Sequence, residues 1–352
     1  MNLEALQSVI RDAAASGAPL RLRGGGSKDF YGNEPRGAIL DTRAYAGIVS
    51  YEPTELVVTA RCGTRLSELE SALEREGQCL PFEPPHFGDE ATLGGCVAAG
   101  LSGPRRAAAG ALRDFVLGVK IVDGRGRAMS FGGQVMKNVA GYDVARMIAG
   151  TLGTLALIAE VSLKVLPRPA AELGLRLEVP RERAVEAMNR WAGRALPITA
   201  TAWHAGELAV RLSGSEVALR SARQAIGGTA LDAAQALAYW RGIREHTHAF
   251  FAGQEPLWRI AVPSAAGPLR VEGATLVEWG GGLRWLRSTA DAGAVRDAAR
   301  SLGGHATLFR AADKSAGAFM PLPPVLARLH RELKKVFDPA GILNPGRLYP
   351  EL

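Results

Sequence analysis

The sequence predicts an α+β protein in two units: a glycine-dense unit over residues 1–168, an antiparallel α+β unit over 169–322, and a C-terminal helix and tail over 323–352 that returns to the first. Three observations predict this. The chain has 352 residues, more than the ~100–200 of one ordinary domain. Hydrophobic residues make up 47% and charged residues 22%, enough apolar surface to offset the ordering entropy of folded cores. The texture also changes at Pro167-Arg168-Pro169, a Pro-bracketed boundary. Glycine clusters precede it, and strands alternating with helices in an antiparallel pattern follow it.

In chain order, a helix near Leu3 to Ala15 leads to a strand at Leu20 to Arg23 and then to Gly24-Gly25-Gly26. Ala38 to Leu40 and Leu56 to Ala60 read as strands. Leu66, Leu69 and Leu73, spaced three and four apart, mark an amphipathic helix over Arg65 to Glu76. Strands at Phe115 to Val122 and Ala128 to Phe131 are joined by the turn Asp123-Gly124-Arg125-Gly126, and Leu155 to Val165 is the longest strand. Beyond the boundary, strands at Leu173 to Val179, Ile198 to His204 and Leu208 to Leu212 alternate with helices at Arg181 to Arg194 and Ser215 to Ile226. A long helix over Leu231 to Phe251 follows, then strands at Trp258 to Val262, Thr275 to Trp279, Leu283 to Arg287 and Thr307 to Arg310, with a helix at Ala292 to Leu302. Pro324 to Phe337 is a helix that stops at Asp338-Pro339.

Charge and cysteine content exclude several classes. There are 42 Lys+Arg against 35 Asp+Glu, a net charge of +7, but the basic residues are scattered singly, with no basic stripe for nucleic acid. The longest mainly apolar stretch, Val144 to Ala159, is broken by Arg146, Gly150 and Gly153 and is shorter than the ~20 residues of a membrane crossing. The N-terminus carries acids and a helical period rather than a leader pattern, so a cytoplasmic location is expected, with peripheral association only through partners. Cys62, Cys79 and Cys96 are widely spaced and form no C-x-x-C. They fit a reduced compartment and encode neither an iron–sulfur cluster nor a zinc site.

The chemistry lies in three glycine-rich stretches. Gly24-Gly25-Gly26-Ser27 follows a strand, and positive φ at successive glycines would aim consecutive N–H groups at one point, as a diphosphate requires. A turn or linker is the plainer alternative. Pro84-Pro85-His86 leads into Ala91-Thr92-Leu93-Gly94-Gly95-Cys96, then Gly100-Leu101-Ser102-Gly103, small residues onto which a flat ligand could close; tight helix packing is the alternative. The third runs through Lys137-Asn138-Val139-Ala140-Gly141-Tyr142-Asp143 and Gly150-Thr151-Leu152-Gly153-Thr154.

In this order and spacing the three stretches resemble the FAD-binding domain of the vanillyl-alcohol oxidase or p-cresol methylhydroxylase (PCMH) superfamily. The resemblance covers residues 1–168 and returns in Phe337-Asp338-Pro339 and Asn344-Pro345-Gly346-Arg347. Through Lys137 to Asp143 and Trp279-Gly280-Gly281-Gly282-Leu283-Arg284-Trp285, the whole chain is similar to the FAD-binding subunits of bacterial glycolate oxidases. The resemblance implies a two-part PCMH-type FAD domain under an antiparallel α+β cap, with FAD held between them. It places Arg23, Gly24, Gly25, Gly26, Ser27, Thr92, Leu93, Gly94 and Gly95 at the diphosphate. Pro84, Ser102, Gly103, Gly153, Ile158, Asn344 and Arg347 would border the rest of the cofactor.

Departures from the family pattern are informative. Where covalent members carry a histidine after the glycine loop, Ser27-Lys28-Asp29 stands here, which implies non-covalent FAD. The family's Gly-Ser-Glu-Gly-Thr-Leu-Gly pattern is altered to Gly150-Thr151-Leu152-Gly153-Thr154, without an acid. Relatives acting on 2-hydroxy acids hold a divalent metal with paired cap histidines. Here His246 and His248 sit two apart, about 160° round a continuing helix, so no metal is expected. His86, Lys137 and Tyr142 are the candidate catalytic residues, against a loop histidine, a surface lysine and a core tyrosine. The implied function is the FAD-binding subunit of a glycolate oxidase-type complex, oxidising a small 2-hydroxy acid to the 2-oxo acid. Its implied partners are a homologous FAD-binding catalytic subunit and an iron–sulfur subunit. The rival is a flavin-holding accessory subunit that oxidises nothing.

Overall fold

The structure, a computed structural model, describes residues 1–133 and 143–352. The N-terminal unit is built on a five-stranded antiparallel sheet in the order Ile48–Glu52, Val57–Arg61, Ala156–Lys164, Val116–Asp123, Ala128–Gly132. Its central strand, Ala156–Lys164, is an almost continuous apolar run buried on both faces. The helix Leu66–Arg75 lays Leu66, Leu69 and Leu73 into the same core, each fully buried. In the hairpin between its last two strands the Asp123 carboxylate, itself buried, accepts from the amides of Arg125 (3.0 Å) and Arg127 (2.8 Å).

Beside this sheet runs a smaller parallel pair, Leu20–Arg23 with Ala38–Asp41. The N-terminal helix Leu3–Ser16, capped by Asn2 and stopped by Gly17 (φ 69°), packs Leu6 and Ile10 there. The C-terminal tail returns to the pair: the Leu20 amide donates to the Ile342 carbonyl (2.7 Å), and Leu20 bridges to Leu343. Buried Lys334, near the end of the helix Pro324–Phe337, holds that tail by donating to the Thr154 and Leu343 carbonyls and to Asp338 (2.7–2.8 Å).

The second sheet has eight strands, all antiparallel, in the order Thr229–Ala230, Ala171–Glu178, Glu207–Gly214, Ile198–His204, Ala274–Glu278, Leu283–Arg287, Leu257–Ala261, His305–Arg310. Helices Arg181–Ala192 and Glu216–Ile226 cover part of one face through Met188, Trp191, Leu219 and Ala222. The other face carries Ala202, Leu276, Trp285 and Phe309, and these pack with Tyr31, Ala99, Leu101 and Leu152 of the N-terminal unit in one cluster. The two units thus share an apolar seam, and the glycine-rich stretches lie along it. No helix among the described residues is long and apolar enough to cross a membrane.

Two sequence expectations differ. The edge strand Ile48–Glu52 is mostly exposed and lacks the alternation that marks a half-buried strand. The helix expected over Leu231 to Phe251 runs only from Ala233 to Glu245. His246 adopts left-handed backbone (φ 55°), and the Thr247 and His248 amides turn back to the Gly242 carbonyl (2.9 and 3.1 Å). His246 and His248 therefore do not lie on one continuing helix.

Candidate functional site

Residues Gly24 to Lys28 leave the strand Leu20–Arg23 and form one wall of a cleft closed by Thr92, Gly95, Ala98, Leu152, Asn344 and Arg347. The backbone amides of Gly24, Gly25, Gly26, Ser27 and Lys28 donate to no acceptor among the described residues. Five successive unsatisfied donors on one loop make an anion-binding concavity. The glycines are required there, for a reason other than the one the sequence suggests. Only Gly26 has positive φ (73°). A Cβ on Gly24 would collide with the Thr92 hydroxyl, and one on Gly25 with the Glu90 carbonyl, so these two permit close approach of the Thr92 segment.

Polar pins fix the loop's shape. Asp29 is ion-paired to Arg21 and to Arg23 (2.8 Å to the latter). Arg347 donates to the backbone carbonyls of Asp29 (2.8 Å) and Asn33, and burial lowers its pKa to about 10. Asn344, in left-handed backbone (φ 41°), accepts from the Leu22 amide (2.7 Å) and donates to the Leu152 carbonyl (2.6 Å). Lys28 extends from the loop across the Phe87 ring and donates to the His86 carbonyl (3.1 Å). Desolvation lowers its pKa.

A second cleft adjoins the first across Arg23, Gly24, Gly95 and Asn344 and runs on past Thr42, Cys62, Gly94, Gly153 and Ile158. A third, much smaller space lies in the seam, where Ser102 and Gly103 face Arg259, Glu278, His246 and Trp285 of the second unit. Glu278 is buried and accepts a hydrogen bond from Trp285 Nε1 (2.7 Å). Desolvation pushes its carboxyl up to about 7. His246 stacks flat on Phe251 (3.9 Å between centroids), and desolvation holds its pKa well below the ordinary value.

The residues expected at the cofactor therefore fall in three groups. Arg23, Gly24, Gly25, Gly26, Ser27, Thr92, Gly95, Asn344 and Arg347 line the first cleft; Gly94, Gly153 and Ile158 line the second; Ser102 and Gly103 line the seam cavity. Leu93 points into the core and Pro84 is buried outside all three. Of the catalytic candidates, Lys137 and Tyr142 lie outside the described residues. His86 borders none of the three spaces: its Nε2 is 3.1 Å from Glu70 Oε2, and its amide donates to Glu245 (3.0 Å). Sequence reasoning missed Arg259 and Glu278. The available signal was an arginine interrupting the apolar strand Leu257–Ala261 and an acid immediately before the Trp279-Gly280-Gly281-Gly282 run.

These spaces fit FAD. Unsatisfied amides suit a diphosphate, and the glycine walls, which side chains would fill, leave the two adjoining clefts open to each other. Comparison with known proteins agrees. A family model described as an FAD binding domain matches residues 1–132, and one for the C-terminal domain of FAD linked oxidases matches residues 313–348. Glycolate oxidase subunit GlcE of Escherichia coli (strain K12) is 46% identical over 349 residues, 99% of this chain and 98% of that protein. A D-lactate dehydrogenase of Archaeoglobus fulgidus is 30% identical over 201 residues, 56% of this chain and 44% of its own length. A solved structure of alkyldihydroxyacetonephosphate synthase superposes with a TM-score of 0.69 over 97% of this chain and 75% of that one, at 16% identity, a likeness of fold.

Proposed function

This chain belongs to the PCMH-type family of FAD-linked oxidases and binds FAD, and from that premise we propose that it is the FAD-binding subunit of a glycolate oxidase-type complex that oxidises a small 2-hydroxy acid to the 2-oxo acid. The observation that carries the cofactor half is the run of five free amides from Gly24 to Lys28 in a cleft walled by Thr92, Gly95 and Asn344. The similarity to the glycolate oxidase subunit over nearly the full chain supports the complex.

Bound FAD supplies a two-electron acceptor. The chain's residues do the rest. The amides of Gly24 to Lys28 hold the diphosphate, and Gly94 and Gly153 leave room in the adjoining cleft. Arg347 keeps the loop in shape through its carbonyls, Asn344 ties the strand before it to Leu152, and Ser102 and Gly103 would border the cofactor at the seam. The FAD is held without a covalent bond: Ser27, Lys28 and Asp29 stand where a linking histidine would, and Asp29 is committed to Arg21 and Arg23. Electrons leave through a separate iron–sulfur chain, a route consistent with three cysteines of which Cys62 and Cys96 are buried, with thiols pushed up to about 12 by desolvation.

One observation favours the accessory alternative: His86, a candidate catalytic residue, faces Glu70 rather than the seam. Steady-state glycolate oxidation by the isolated chain and by the chain co-expressed with its partners, at matched flavin content, tests the assignment. Turnover is expected to be at least tenfold higher in the complex. Equal turnover would remove the partner requirement, and a complex inert to glycolate would overturn the substrate.

A further inference from the structure

The loop His86-Phe87 of the first unit is held in a conformation that its own sequence does not favour. Phe87 takes left-handed backbone (φ 53°), which a bulky residue keeps only when its surroundings impose it. The constraint comes from the other unit. The amides of His86 and Phe87 both donate to one oxygen, Oε2 of Glu245 (3.0 and 2.9 Å), at the end of the helix Ala233–Glu245. Successive amides that converge in this way form an anion-binding concavity, filled here by a carboxylate of the chain itself. Arg244 Nε donates to the other oxygen, Oε1 (2.7 Å), so the carboxylate is fixed through both oxygens.

The same loop reaches the glycine-loop cleft. Lys28, which lines that cleft, donates to the His86 carbonyl (3.1 Å) and to Ser27 Oγ (3.5 Å), and it has no carboxylate partner among the described residues. An ammonium carries three donors, so one is left beside the free amides of Gly24 to Lys28. Burial lowers the Lys28 pKa, and the charges of Cys96 and Glu245 act against that. A single peptide group joins the two side chains. Between His86 and Phe87, its N–H donates to Glu245 and its C=O accepts from Lys28. An anion at one end and a cation at the other polarise that peptide in the same sense, so each hydrogen bond strengthens its neighbour. Glu245 itself borders neither cofactor cleft.

We infer that Glu245 is a positioning residue for the cofactor: through the His86-Phe87 peptide it holds the Lys28 ammonium at the glycine-loop cleft, so a residue of the second unit sets FAD affinity without bordering FAD. The inference rests on FAD binding alone and needs nothing about the substrate.

Titration of FAD into the deflavinated full chain, read by flavin fluorescence, tests this, with urea unfolding of each FAD-free variant alongside. Lys28→Met is expected to weaken FAD binding about tenfold, the scale of one charge-assisted contact, and Lys28→Arg to keep most of the affinity. Glu245→Gln is expected to weaken it roughly fivefold and to have no further effect in a chain that already carries Lys28→Met, because its action runs through the ammonium. If Glu245→Gln fails to fold, Glu245→Asp, which draws the carboxylate back by one methylene, reads the same coupling. A merely structural Glu245 would lower urea stability and leave FAD affinity unchanged. That result, equal losses with and without Lys28, or full affinity in Lys28→Met overturns the inference and leaves the FAD assignment standing.

Discussion

The glycine-loop cleft and the seam cavity are made by different means. The cleft is a backbone site: Gly24 to Lys28 contribute amides, and Gly24 and Gly25 are small because Thr92 and Glu90 press against them. The cavity is a side-chain site: Arg259, Glu278 and Trp285 come from three strands of the eight-stranded sheet and meet only through its register. Such a backbone site is written in glycine spacing, because a Cβ at Gly24 or Gly25 would collide with the segment that closes on it. A register-built site needs only one residue of the right type per strand, so no local pattern announces it.

The largest expected effect follows from the backbone character of the cleft. Gly25→Val puts a branched side chain into the Glu90 carbonyl, and the purified chain should retain less than a tenth of wild-type flavin by absorbance. Normal occupancy would show that the loop is only a turn.

Next in size is the tail. Asn344→Ala strips the Leu22 amide and the Leu152 carbonyl of their partner, and leaving two such groups unpaired costs roughly 2–4 kcal/mol. Urea unfolding should show that loss together with weaker FAD retention, whereas a loss of stability at unchanged flavin affinity would separate the tail from the cleft.

The seam cavity offers a smaller effect tied to pH. Below pH ~4.5 the Glu278 carboxyl is protonated in both folded and unfolded chains and costs nothing. As pH rises toward about 7, the unfolded chain ionises there while the folded one does not, so stability falls across that window and then levels. The wild type should lose up to about 3 kcal/mol against Glu278→Gln between pH 4.5 and 7, read from paired denaturation curves. Parallel curves would place Glu278 in contact with water. Arg259 and Glu83, the charges that act on it, are common to both proteins.

Much of the fold was legible. Leucine spacing gave the helix Leu66–Arg75, and the Asp123 turn gave its hairpin. The exposed strand Ile48–Glu52 was not, since an edge strand has no buried face to pattern it. Nor was the break at His246, where a non-glycine residue takes the left-handed position. Within the site, the glycines and the Asn344 tail could be found from sequence. Arg259 and Glu278 could not, because a charge in a strand says nothing about whether a partner lies opposite.

The most direct test of the whole account is anaerobic addition of glycolate to the purified, FAD-loaded chain, followed by flavin absorbance. Glycolate is expected to bleach the wild-type flavin in a single turnover. A fully loaded wild-type chain whose flavin stays oxidised would contradict the account and leave this subunit as a holder of FAD that oxidises nothing.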